Sequence, residues 1–353
     1  MGNINKIRQD IDKLDDTILA CINKRLICAE KISKMKQKGA AKVFWPERET
    51  EIYRRLIKNK GKLNKNDLIN IFNEIISVCR DVSVNLKVAF LGSEGTFSYA
   101  AGLKVFGKKA SYIGTNNISE VFDFVEKGVV DCGIVPIENS IEGAVNHTLD
   151  MLADTQLFIV SELTMRVEHF LMALTGKKIE KIYSHPQVFG QCRKWLSYNH
   201  LNAQRIEVPA TSIAAELASK DKDAACIGNK SLAELYGLKI IERSIEDSLT
   251  NITRFLIISK SPSVRTGKDK TSVMLSVKDK PGILCEVLSL FKKKNINLTK
   301  IESRPSKQKA WEYKFFIDFQ GHRDNVKVME LIKDLERHCF LVKILGSYPN
   351  NVM

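Results

Sequence analysis

A chain of 353 residues, 44% of them hydrophobic, holds enough apolar material for two or three domains, each with its own core. Its net charge of +14 falls as about +7 over residues 1–85, −1 over 86–262 and +8 over 263–353, with lysines dispersed rather than interleaved with aromatics, which reads as a solvated surface and argues against a nucleic-acid partner. The N-terminus lacks an apolar signal core, no run approaches eighteen apolar residues, and the eight cysteines show neither C-x-x-C pairs nor histidines at ligand spacing, so a cytoplasmic protein with free thiols, no membrane segment and no metal site is expected.

From the N-terminus, Ile4, Ile7, Ile11, Leu14, Ile18, Ile22, Leu26, Ala29, Ile32 and Met35 recur at spacings of three and four, which predicts one long amphipathic helix ended near Gly39. Pro46 opens a second helix reaching about residue 59, and Asn66 or Asp67 caps a third that carries Leu68, Ile71, Phe72, Ile75 and Ile76. Three helices of such unequal length cannot bury the long stripe alone. A second copy would cover it, so a homodimer is expected. Arg25 and Lys36 share a helix face about 16 Å apart and could bracket one small anion. Arg8 lies roughly 25 Å before Arg25 and about 100° round the helix, so it joins that site only from the partner chain of an antiparallel dimer.

Ile7-Arg8-Gln9-Asp10-Ile11-Asp12, Arg25, Lys36 and Pro46-Glu47-Arg48-Glu49 make this segment resemble the small all-helical chorismate mutases. That family rearranges a dicarboxylate without a covalent step, so catalysis amounts to clamping a folded conformer and stabilising charge on an ether oxygen. The resemblance implies that Arg8, Arg25 and Arg48 hold carboxylates, Lys36 the ether oxygen and Glu49 the ring hydroxyl. Two positions depart from the pattern: Ser83 stands where the family has Gln, and Trp45 where it has Asp. The shorter Ser83 leaves open an inactive helical domain kept for dimerisation.

In the middle segment, residues 87–91 read as a strand and Gly92-Ser93-Glu94-Gly95-Thr96 as a turn into a helix near Phe97, together an anion seat. A helix over 118–127 and a strand over 132–136 lead to Ile137-Glu138-Asn139-Ser140-Ile141-Glu142-Gly143, polar groups at the C-terminal end of a strand, where α/β sheets bind ligands. A second α/β unit follows, with strands around 158–160, 166–174, 182–184, 224–228 and 239–241. His185-Pro186-Gln187 opens a helix, Gln191 lies two turns after Ser184, Ala210-Thr211-Ser212 caps another helix, and Gly237 closes the helix over 231–236. Two such halves imply a cleft between lobes. The chain returns through Asn251-Ile252-Thr253-Arg254-Phe255, where Phe255 begins a buried strand, Arg254 can grip a carboxylate and Thr253 can offer a hydrogen bond.

Leu91-Gly92-x-x-Gly95-Thr96-Phe97, Val135-Pro136-Ile137-Glu138-Asn139-Ser140, Tyr183-Ser184-His185-Pro186-Gln187, Gln191-Cys192, Ile245-Glu246-Asp247 and Asn251-x-Thr253-Arg254-Phe255 together resemble prephenate dehydratase over residues 86–262, with Ser93 replacing a common Pro. The resemblance implies a two-lobed, periplasmic-binding-protein-like α/β domain in which prephenate loses carbon dioxide and its ring hydroxyl. Aromatisation drives the reaction, and no cofactor is called for. Thr253 would donate to the leaving hydroxyl, and Arg254 with the Gly95-Thr96 helix end would bind a carboxylate. Glu138, Asn139, Ser140, Ser184, Gln191 and Phe255 would complete the substrate site.

After a polar linker, strands and helices in the order βαββαβ over residues 271–350 give the ferredoxin-like pattern. Asp279-Lys280-Pro281-Gly282-Ile283-Leu284 and Glu302-Ser303-Arg304-Pro305 resemble the ACT-type sensor of prephenate dehydratases, whose effector is phenylalanine. The resemblance implies an effector site made of Gly282, Ile283, Leu284, Glu302, Ser303, Arg304 and Pro305, with Ile283 narrowing a seat that usually carries Ala. The expectation is a multi-domain, bifunctional enzyme of phenylalanine biosynthesis acting on chorismate and prephenate. A dehydratase with an inactive mutase domain and a non-catalytic two-lobed binder are the alternatives.

Overall fold

The computed structural model describes residues 2–36, 43–81, 85–176, 178–199, 202–277, 280–305 and 313–350. Gly39, Ser83 and Asp279 lie outside the described residues, as does the side chain of Lys36.

Three helices come first: α1 (Gly2–Lys36), α2 (Pro46–Lys58) and α3 (Lys65–Asp81). Pro46 starts α2 as its spacing predicts, since its missing N–H costs nothing in a first turn. The α3 cap is Asn64, not Asn66 or Asp67: its Oδ1 accepts the Asp67 amide at 2.8 Å. Tyr53, Ile69 and Ile76 form a small core between α2 and α3. Along α1 the apolar stripe is exposed, with Ile4, Ile7, Ile11, Leu14 and Ile18 each half or more open to solvent.

The first lobe runs β1 (Lys87–Leu91), α4 (Phe97–Phe106), β2 (Ser111–Thr115), α5 (Ile118–Lys127), β3 (Cys132–Asn139), β4 (Gly143–Ala144), α6 (Asn146–Asp154) and β5 (Phe158–Arg166). The second holds β6 (Phe170–Ala173), β7 (Lys181–Ser184), α7 (Pro186–Gln191), α8 (Arg193–Asn199), β8 (Gln204–Glu207), α9 (Thr211–Ala218), β9 (Ala224–Gly228), α10 (Ser231–Tyr236) and β10 (Lys239–Glu242). The chain then returns to the first lobe as β11 (Ile252–Ser259), which lies antiparallel between β3 and β5 in the order β2-β1-β3-β11-β5. The second sheet is ordered β10-β6-β9-β7-β8. The single strand expected over 166–174 is in fact two, because the chain leaves one sheet at Arg166 and joins the other at Phe170.

The last unit is β12 (Asp269–Ser276), α11 (Ile283–Lys293), β13 (Leu298–Pro305), β14 (Tyr313–Gln320), α12 (Val326–His338) and β15 (Leu341–Pro349), with sheet order β13-β14-β12-β15. One face of this sheet buries Val273, Leu275, Ile317 and Phe319 under α11 and α12. From the other face Met274, Phe316, Leu345 and Tyr348 join Leu256, Ile258, Leu149 and Ile159 of the first lobe in one continuous core. The approach is closest at Gly346, where a Cβ would stand 2.1 Å from the Ile159 carbonyl oxygen. Arg54 of α2 also reaches this region, donating to the Thr266 hydroxyl at 3.0 Å and the Lys268 carbonyl at 2.9 Å.

Candidate functional site

Residues 167–169 carry the chain out of the first lobe and 243–251 bring it back, and the two crossings are bonded to each other: Val167 N–H to the Asn251 carbonyl at 2.8 Å, Ile245 N–H to the His169 carbonyl at 3.0 Å. The lobes meet above this hinge. The Ser93 and Ser212 hydroxyls are 2.7 Å apart, Phe97 stands edge-on to His169 at 5.5 Å between centroids, and Glu142 accepts from the side-chain amides of Gln187 and Gln191, the latter at 3.4 Å. Gly95 has φ +86°, and a Cβ there would fall 2.2 Å from Leu232 of the opposite lobe, so the turn before α4 requires glycine for both conformation and room. Thr96 then caps α4 by accepting the Tyr99 amide, leaving a positive helix end on this side of the lobe contact.

Thr253 pairs with Asn139 across β11 and β3. The Asn139 amide donates one hydrogen to Thr253 Oγ1 at 2.9 Å and the other to Asn251 Oδ1 at 2.8 Å, and its own oxygen accepts the backbone N–H groups of Ile141 and Glu142. Those two backbone donors fix which end of the amide is oxygen. Thr253 is therefore an acceptor toward Asn139, and among the described residues its own proton has no protein acceptor. Buried beside it, Asn251 Nδ2 has no partner among the described residues.

Arg254 goes the other way. Successive residues of a strand face opposite sides of a sheet, so Thr253 and Phe255 share the α4 side while Arg254 points toward the C-terminal domain. Its guanidinium bonds Glu162 at 2.7 Å, Asp318 at 2.6 Å and the Tyr348 hydroxyl at 3.2 Å. Burial alone would weaken the cation, but Tyr348, Asp318 and Glu162 outweigh it and hold the guanidinium above its ordinary pKa. The Arg254 side chain is thus engaged in the contact between the first lobe and the C-terminal domain.

The other candidate residues have contacts of their own. Glu138 pairs with Lys300 of β13 at 2.7 Å rather than facing the lobes' contact. Ser184 is fully buried and donates to the Ile227 carbonyl at 2.8 Å, which ties β7 to β9. Ser140 donates to the Thr250 carbonyl and accepts the Ile252 amide, closing the loop that presents Thr253. Phe255 lies in the core with Val88 and Phe90. Gln191 is half-buried at the lobe contact, with Oε1 2.7 Å from His169 Nε2. Sequence reasoning missed Glu142, Gln187 and His169 as groups that bring the lobes together. Glu142 and Gln187 stood inside quoted motifs, whereas a lone His169 carried no signal.

In the helical segment Glu49 is buried and ion-paired with Arg80, whose guanidinium also lies over Phe44 and Phe106 and bonds the Phe106 carbonyl. Burial pushes the Glu49 carboxyl up, against the pull of Arg80. Arg48, one position away, is exposed and pairs with Glu51, so within one chain Arg48 and Glu49 do not share a face. Arg8 is exposed on α1, and Arg25 is half-buried, donating to the Ile75 carbonyl at 3.4 Å. In the C-terminal unit Gly282 takes φ +83° at the start of α11, with Ile283 buried and Leu284 half-buried behind it. Arg304 bonds Asp150 of α6 at 3.1 Å.

Comparison with known proteins follows the same division. Family models match as chorismate mutase type II over residues 7–84, prephenate dehydratase over 88–263 and ACT domain over 271–337. The chain is 41% identical to a bifunctional chorismate mutase/prephenate dehydratase of Aquifex aeolicus, over 100% of this chain and 99% of that one. It is 40% identical to another of Stutzerimonas stutzeri, over 99% and 98%. Among solved structures, the prephenate dehydratase of Arthrobacter aurescens in complex with L-Phe is 34% identical, with TM-score 0.68, covering 75% of this chain and 90% of that one.

Proposed function

Because this chain belongs to the family of bifunctional chorismate mutase/prephenate dehydratases, we propose that residues 1–85 rearrange chorismate to prephenate, residues 86–262 convert prephenate to phenylpyruvate, and residues 271–350 sense phenylalanine. The observation that carries the dehydratase reading is the Asn139–Thr253 hydrogen bond. By donating to Thr253, Asn139 turns the hydroxyl proton outward, toward the ring hydroxyl that must leave. As the carbon–oxygen bond breaks, the departing oxygen gains charge and this hydrogen bond strengthens. Electrons from the breaking carbon–carboxylate bond flow into the ring, releasing carbon dioxide, and the oxygen leaves as hydroxide steadied by the Thr253 hydroxyl, then takes a proton from solvent to become water. With Arg254 turned away, substrate carboxylates fall to the α4 end at Gly95-Thr96 and to the amide of Gln191.

Assays of the full chain with each substrate test this. Prephenate should yield phenylpyruvate, and in Thr253→Val chorismate should yield prephenate that accumulates. Failure of the first reaction rejects the dehydratase assignment. Failure of the second alone supports the other reading, a helical domain without mutase activity, which the Glu49–Arg80 pair and outward Arg48 favour.

The exposed stripe of α1 supports a homodimer in which Arg8 is delivered to a neighbouring mutase site. Ile11→Glu should then monomerise the protein in sedimentation velocity and abolish mutase turnover. For the effector, Gly282, Ile283 and Leu284 at the α11 start, with Glu302, Ser303 and Pro305 on the edge strand β13, offer an apolar seat with backbone groups. Dehydratase rate should fall with millimolar phenylalanine. A cytoplasmic setting accords with the exposed free thiols of Cys21, Cys28 and Cys285, and no described helix is long and apolar enough to cross a membrane.

A further inference from the structure

His169 stands in the outgoing hinge crossing, 1% exposed, and touches both lobes. Its backbone N–H donates to Glu246 at 2.9 Å, its ring meets Phe97 of the first lobe, and its Nε2 lies 2.7 Å from Gln191 Oε1 of the second. The protonation pattern follows from Glu142. A carboxylate only accepts, so the end of the Gln191 amide facing Glu142 must be NH2, and the oxygen faces His169. His169 Nε2 must therefore carry the hydrogen. Its Nδ1 is buried without a partner among the described residues, the state of a neutral imidazole. Burial, which lowers the imidazole's pKa against the opposing effects of Gln191 and Glu246, agrees with that assignment.

We propose that His169 is a positioning residue for the dehydratase reaction: as the neutral Nε2–H tautomer it holds the Gln191 oxygen and so aims the Gln191 NH2 at the first lobe and at the substrate between the lobes. This rests on the reading that residues 86–262 act on prephenate. The same amide, turned over, would present oxygen to a substrate carboxylate and repel it. Through Glu142, whose backbone N–H donates to Asn139, the chain of bonds continues to Thr253.

Steady-state kinetics on prephenate, with melting temperatures as a folding control, separates positioning from mere structure. His169→Phe should lower kcat/KM about 10- to 100-fold, mostly through KM. His169→Gln, which can place an N–H near the same point, should stay within about 3-fold of wild type. In a Gln191→Ala background, His169→Phe should cost less than about 2-fold more. A glutamine variant as impaired as the phenylalanine variant, a harmless phenylalanine variant, or an equal loss in the Gln191→Ala background would each overturn the proposal. Imidazole nitrogen NMR of the unmutated protein near pH 7 is a second arm, independent of variant folding. A protonated Nε2 with a bare Nδ1 is expected, and a bare Nε2 or a charged ring overturns it. Wild-type protein that leaves prephenate untouched defeats the functional reading instead, while the NMR arm still decides the tautomer.

Discussion

Thr253 and Arg254 are consecutive in β11 yet belong to different machinery: the threonine hydroxyl is bonded by Asn139 on the α4 side of the sheet, and the guanidinium is bonded by Glu162 and Asp318 on the other. One strand thus joins the proposed reacting group to the C-terminal domain through a single peptide unit. Rearrangement of that domain has a short route to the hydroxyl.

Thr253→Val keeps shape and removes the donor. We expect kcat for phenylpyruvate formation to fall by about 10²–10³-fold with KM for prephenate within about 3-fold, since the lost bond matters mainly in the transition state. A KM effect without a kcat effect would assign Thr253 to binding.

Asn139→Asp replaces the donor of two hydrogen bonds by an acceptor. Thr253 would then give its proton to the new carboxylate rather than to the substrate, so turnover should drop about 100-fold while the protein still folds. Asn139→Ala should cost less, because the hydroxyl would lose its guide without gaining a competitor. Equal losses would argue against the orientation mechanism.

Arg254→Met leaves Glu162 and Asp318 without their shared cation. Breaking a buried ion pair from one side costs about 3–5 kcal/mol, and calorimetry should show the C-terminal domain melting earlier than the rest. If Arg254 bound a substrate carboxylate instead, KM for prephenate would rise steeply with little change in melting.

Arg304→Ala cuts the tie from β13 to Asp150 of α6 and leaves Gly282 and Ile283 in place. Phenylalanine should still bind, by calorimetric titration, but should inhibit dehydration at least about 5-fold less effectively. Binding and inhibition lost together would return Arg304 to the effector site.

His169 gives a pH signature. Its folded pKa lies below its unfolded value of about 6.5, so between the two the unfolded chain binds the extra proton and stability rises with pH. The contribution is complete above about pH 6.5 and is lost as pH falls toward the folded value. The difference in melting temperature between wild type and His169→Gln should therefore shrink from pH 7 to pH 5.

Periodicity was enough for the elements whose burial is one-sided or complete, such as α5, β9 and β11, because their apolar spacing is set by neighbours in the same sheet or helix. It was silent for β2, β4, β8, α6 and α8. β8 (Gln204–Glu207) is largely exposed, so no apolar alternation marks it, and β4 is only two residues long. At the site, motif positions were legible as a set, but their orientation was not. Whether Arg254, Glu138 and Ser184 meet a ligand or hold the scaffold depends on which side of a sheet each occupies and on what stands there. For Arg254 and Glu138 the partners, Asp318 and Lys300, come from a domain whose docking no local pattern encodes.

The meeting of Gly346 with the Ile159 carbonyl is main chain against main chain, with no side chain that could be trimmed to make space. A sensor module transplanted from another protein would seat on this lobe only if it brought a gap at the corresponding point of its last strand. Compatibility between exchangeable modules is thereby decided by a missing methyl group, and Gly346→Ala should prise the two sheets apart while every charged contact between them stays encoded.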